Sequence, residues 1–197
     1  MRAATVAQPP ITIYAAPGAT ATFLVATDRG DDPASAVTLE LGLQLAREAG
    51  ARVVLYDRSA ESSFTDPFEA PVWAGGQLPT WEQLLSPPQL RHLGYGYLAE
   101  QLTYARAMGL EAAAWLPFGV GPAVMGRCVA AWGVTHVVLP AKVANPSVWT
   151  RLRGHTLADF QANLPGVAIL LVHPDGRMQQ ITSRLIQPQP MRTGALV

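Results

Sequence analysis

The chain has 197 residues, 49% of them hydrophobic, with 14 basic side chains against 14 acidic ones. That length suits one domain with a sizeable core, and the balanced charge gives no reason to expect a nucleic acid or an anionic membrane surface as partner. The single cysteine, Cys128, excludes an intrachain disulfide and a multi-cysteine metal site.

Residues 1 to 20 are rich in Ala and Pro and lack a helical period, so they read as a tail, although "ITIYA" can lie along a sheet edge. They hold no compact apolar region followed by a cleavage site, and no run in the chain is long and apolar enough for a membrane span. A soluble cytoplasmic protein is expected. The domain proper is expected over 21 to 175, opening with "TFLVATD" (22 to 28), an apolar run ended by an acid. That is the pattern of a strand covered on both faces. After "RGDDP", Asp32 can cap a helix with Pro33 at its first position. The helix, about 33 to 49, carries Val37, Leu41 and Leu45 on one stripe and ends at Gly50. "ARVVLYD" (51 to 57) is a second buried strand, parallel to the first by the right-handed crossover rule.

Residues 58 to 87 break the rhythm with four prolines and a Gly-Gly. They read as a long surface excursion, and their aromatics Phe64, Phe68, Trp73 and Trp81 favour packing onto the domain itself or onto a partner protein. A second helix is expected from about 88 to 108, with Leu90, Leu93, Tyr97, Leu98, Leu102 and Ala105 on its apolar face. "EAAAWLPF" (111 to 118) is a third strand, and a helix follows from about 120 to 132 with Val124, Cys128 and Ala131 on one side. "THVVLPA" (135 to 141), a helix within "RLRGHTLADFQANL", and "VAILLVH" (167 to 173) complete the series. Residues 176 to 197, polar and proline-bearing, read as a tail or an oligomer arm. Five hydrophobic strands separated by four helices predict an α/β fold: an open, five-stranded parallel sheet with helices on both faces.

Ligands of such sheets bind outside the carboxyl ends of the strands, where strand order reverses. The residues there are Asp28, Asp57, Pro117 to Gly119, Pro140 to Val143 and His173. Asp28 suits a hydrogen bond to a ribose hydroxyl or a base amino group, and equally suits capping of the turn that follows it. Asp57 reads as a plain strand-end acid. Catalytic signatures are missing. Nothing matches G-x-S-x-G, the four histidines fit no metal-ligand spacing, and "DRGDDP" has one glycine where a dinucleotide turn needs three.

Two stretches carry a family resemblance: "FLVATDRGDDPASAVTLELGLQLAREAGARVVLYD" at the front and "AAWGVTHVVLPAKVANPSVWTRLRGHTLADFQANLPGVAILLV" at the back. In register they resemble the universal stress protein family over about 20 to 175. The resemblance implies strand order 3-2-1-4-5, homodimerisation through the last strand, and a first-strand Asp, here Asp28, that contacts adenine nucleotide. Family members that bind ATP enter a glycine loop after the fourth strand: Gly, two residues, Gly, nine residues, Gly, then Ser or Thr. In this chain the first two glycine positions fall on Pro140 and Val143, or on Ala141 and Ala144 in the next register, which leaves nine residues before Gly154. His155 stands at the Ser/Thr position, with Thr156 one place further.

A phosphate-wrapping loop presents backbone N–H groups and relies on glycine to reach positive φ. Proline offers no N–H, and a β-branched residue resists positive φ. What remains is a different anion kit: Asp28, Ala141, Lys142, Arg153, Gly154, His155 and Thr156, with Arg151 beside them, around the start of a helix. The expected function is a non-catalytic, stress-protein-like binding or scaffold module, homodimeric and without a cofactor. The alternative is an adenine-nucleotide sensor that holds ATP or AMP on the same residues. A phosphotransfer or hydrolytic enzyme is a third reading, lacking a base beside a nucleophile.

Overall fold

The computed structural model describes residues 11–13, 20–29, 33–58, 84–117, 121–144 and 156–182. Its elements, in chain order, are β1 (Thr22–Thr27), α1 (Pro33–Glu48), β2 (Arg52–Asp57), β3 (Leu84–Leu85), α2 (Pro87–His92) and α3 (Gly96–Ala107). There follow β4 (Ala112–Trp115), α4 (Pro122–Trp132), β5 (His136–Pro140), a 3-10 turn (Ala141–Val143), α5 (Leu157–Asn163), β6 (Ala168–Val172) and β7 (Met178–Thr182). The phenylalanines and tryptophans of the long excursion, the Asp32 cap and Arg151 all lie outside the described residues.

The expected five-stranded, all-parallel sheet is corrected. There are seven strands in the order β3-β4-β2-β1-β5-β6-β7. The two additions are antiparallel edge strands: β3 on β4 through Leu84 and Leu85, and β7 along the whole of β6. Physical reasons explain both omissions. A two-residue strand shows no alternation, and "MQQIT" carries one aliphatic residue besides its methionine because an edge strand is held by its backbone ladder more than by burial. The residues read as a C-terminal tail therefore supply an edge of the sheet.

Strand alternation divides the core. Phe23, Val25, Val53, Leu55, Ala114, Val138 and Leu170 point to one face, where Leu43, Leu90, Leu98 and Leu102 of α1 to α3 cover them. Leu24, Val54, Tyr56, Trp115, Val137, Leu139 and Ile169 point to the other, beneath Val124, Met125 and Cys128 of α4 and Phe160 of α5. The helices change face where the chain changes direction across the sheet, as right-handed crossovers require. Close approach sets α4 against α5, since a Cβ on Gly126 would lie 2.9 Å from the Asn163 carbonyl oxygen.

The helix expected from 88 to 108 is two. Gly94 takes φ +84° between α2 and α3, a left-handed turn that a side chain resists. This break tilts the start of α3, with Tyr95 and Tyr97, over the carboxyl ends of β1 and β2. Among the described residues, no helix is long and apolar enough to cross a membrane.

Candidate functional site

The strand order reverses between β1 and β5, since β2 lies on one side of β1 and β5 on the other. Asp28 directly follows β1, and Ala141 to Val143 directly follow β5, so the fold brings two of the segments singled out in the sequence to one crevice. Asp28 is partly buried, and its Oδ2 accepts the Ser35 hydroxyl from the first turns of α1. Its backbone carbonyl accepts the Gln101 amide at 3.1 Å. These contacts fix where Asp28 sits at the mouth of the crevice.

Across from it, the chain leaves β5 through Pro140 (φ −66°, ψ 139°) and winds into one turn of 3-10 helix. Ala141 and Val143 are buried there, Lys142 is exposed, and the Ala144 N–H closes the turn on the Ala141 carbonyl at 2.9 Å. No described residue between Pro140 and Ala144 has a positive φ. The turn engages the Ala144 N–H and, with no positive φ, lacks the left-handed residue around which a phosphate cradle is built.

Thr156 lies at the other end of the same connection, as N-cap of α5. Its hydroxyl accepts the Asp159 N–H at 3.3 Å and donates to Asp159 Oδ2, which also takes the Thr156 N–H at 2.8 Å. That is a complete capping box, so the hydroxyl offered as a ligand group in the sequence is engaged within its own helix. Arg153, Gly154 and His155 lie outside the described residues.

A second polar group, at the ends of β1 and β2, gathers around Asp57, which the sequence offered only as a strand-end acid. Asp57 is fully buried and accepts the Tyr97 hydroxyl through Oδ2. The Arg29 guanidinium stands 6.0 Å from the centre of the Tyr97 ring, and Thr27 donates to Gln101 Oε1 at 2.9 Å. Burial, and then the negative charge of Asp57, push the Tyr95 phenol above its ordinary pKa, while Arg29 pulls it down. In the sequence Tyr97 looked like one more member of an apolar stripe. The signal available was its place near a helix start, on the face that meets a strand ending in an acid.

Two buried donors adjoin this edge. Arg58 Nε and Trp115 Nε1 have no hydrogen-bond partner among the described residues. Among those residues, too, no group of three His, Cys, Asp or Glu side chains is arranged to hold a metal ion.

The architecture is that of a doubly wound α/β protein whose crevice opens at the carboxyl ends of β1 and β5. No family model matches the chain, and no curated protein matches it. Among solved structures it is similar to a universal stress protein crystallised in complex with cAMP. The two share 18% identity over 80% of this chain and 99% of that one, with a TM-score of 0.49. It is also similar to a protein of the universal stress protein family from Burkholderia pseudomallei, at 21% identity over 59% of this chain and 78% of that one, with a TM-score of 0.35.

Proposed function

We propose that the chain is a non-catalytic binding or scaffold module of universal stress protein type, in which the standard ATP loop has lapsed. The observation that carries this reading is the turn after β5. With Ala141 and Val143 buried, Ala144 closing back on Ala141 and no positive φ in the turn, the backbone from Pro140 to Ala144 lacks the glycine-type bends with which a loop wraps a triphosphate. In this reading the module acts as a homodimer. The outer edge of β6 is occupied by β7, so the strand that pairs with a second copy is β7. The 58–87 excursion is the surface for an unidentified protein partner.

A second reading has its own observation. Asp28 is held by Ser35 at the crevice mouth opposite exposed Lys142, the arrangement an adenine-nucleotide sensor needs for a base or ribose at one end and a phosphate at the other. Calorimetric titration with ATP, ADP and AMP decides between them, run on the natural chain and on Lys142→Ala. The leading reading expects no saturable heat with any nucleotide, and a dimer by sedimentation. One-to-one ATP or AMP binding that is lost in Lys142→Ala establishes the sensor instead.

A further inference from the structure

We propose that the carboxyl ends of β2 and β4 form an oxyanion-accepting subsite built on the Arg58 guanidinium and the Trp115 indole N–H. Trp115 is the last residue of β4 and 1% exposed, and its ring stands 5.5 Å from that of Tyr56, its register partner on β2. Arg58 follows β2 and continues the ladder, its N–H donating to the Thr27 carbonyl at 2.8 Å. Alternation then puts Arg58 on the side of Tyr56 and Trp115, with Asp57 and its Tyr97 partner on the other. One step along a strand pair and one step across it separate the two donors, roughly 7 Å by roughly 5 Å at the backbone. Two side chains of this length on one face of neighbouring strands can reach a common ligand.

The chemistry of the pair selects the ligand. An indole N–H and a guanidinium are donors only, and the guanidinium is cationic. Among the described residues neither buried N–H group has a partner, which is costly to maintain unless an acceptor is delivered to them. The nearest strand-end carboxylates each accept a hydroxyl of their own, Asp28 from Ser35 and Asp57 from Tyr97. Trp132 also has a buried N–H unpaired among the described residues, but it closes α4 just ahead of β5, at the opposite end of the sheet, where no ligand is expected. The ligand that fits at Arg58 and Trp115 is a small oxyanion group, a phosphate or a carboxylate. The subsite is separate from the crevice between β1 and β5 and does not depend on whether that crevice binds nucleotide.

Thermal unfolding of the full chain tests it, in millimolar sodium phosphate, sodium acetate or AMP, each against sodium chloride of equal ionic strength. A ligand that binds only the folded chain raises Tm with the logarithm of its concentration. Phosphate or acetate is expected to raise Tm beyond chloride, and the preferred one names the head group. Arg58→Met and Trp115→Phe, which keep length or ring but remove the donor, are expected to weaken the apparent affinity about ten-fold or more. Lys142→Ala is expected to leave the rise intact. Absence of a rise beyond chloride overturns the proposal, as does a rise undiminished in Arg58→Met, the more exposed and better tolerated of the two changes. A rise seen with AMP alone, lost in Lys142→Ala and kept in Arg58→Met, belongs to the other crevice and overturns it as well.

Discussion

One side chain of β7 holds both sides of an N-terminal peptide: Gln180 accepts the Thr12 N–H at 2.7 Å through Oε1 and donates to the Thr12 carbonyl at 2.9 Å through Nε2. Sequence pattern alone allowed "ITIYA" to lie along a sheet edge. Thr12 is held by a side chain that reaches over from the edge strand, and Ile11 packs against the core. Gln180→Ala removes both bonds. Because they are exposed, the expected loss is small, about 0.5–1 kcal/mol in denaturant unfolding. A sharper readout is limited proteolysis, where cleavage near residue 12 should become faster while the rest of the chain is cut as before.

His136 gives the fold a pH dependence. Its ring is fully buried, stacked on Phe23 at 4.6 Å, with Nδ1 2.8 Å from the Thr135 hydroxyl. Burial lowers its pKa, and a hydrogen bond to the Thr12 backbone offsets part of that fall. The unfolded chain therefore takes up the proton first as pH drops. Stability is complete above the unfolded pKa of about 6.5 and declines below it, by at most about 1.4 kcal/mol per pH unit, until the folded ring protonates too. Unfolding free energies measured from pH 7.5 down to about pH 5 should show this slope, and His136→Gln should lower the plateau and flatten the slope.

Asp57 and Tyr97 form the least replaceable polar contact near the proposed sites. Tyr97→Phe leaves the ring in place over β2 and takes one donor from a fully buried carboxylate. The expected cost is about 1–3 kcal/mol, seen as a lower denaturant midpoint with unchanged slope. A cost below about 0.5 kcal/mol would mean that other donors already satisfy Asp57.

Thr156 separates a cap from a ligand group. If its hydroxyl serves the Asp159 capping box alone, Thr156→Ala costs about 1 kcal/mol of stability and leaves any phosphate or nucleotide affinity unchanged. A fall in affinity, measured by the titrations above, would return Thr156 to the binding set.

The departures from expectation have local physical causes. Asp28 was legible as a site candidate because it ends a buried apolar run where ligands of such sheets bind, with capping of the next turn as its equal alternative. Pro140 and Val143 were expected to make a poor phosphate loop because their backbone limits hold in any context, and the chain there forms one 3-10 turn without a positive φ. Tyr97 and Gln101 were hidden, since helix periodicity reports which face is covered and says nothing of what a hydroxyl or an amide will meet there. Gly94 breaks a helix that an uninterrupted apolar stripe had joined, because α2 and α3 bury the same kind of residue on either side of the turn.

By itself, the sequence determined the buried parallel strands, their alternation with helices and the positions of the strand-end acids, because hydrophobic periodicity and backbone chemistry act over a few residues at a time. Only the tertiary structure decided that "MQQIT" and Leu84–Leu85 complete the sheet, that one glutamine clamps Thr12, and that Arg58 and Trp115 stand at the ends of neighbouring strands. Edge pairing is stabilised by backbone groups that every residue carries, and polar contacts between distant segments depend on which strands become neighbours. Neither leaves a periodic mark in the chain.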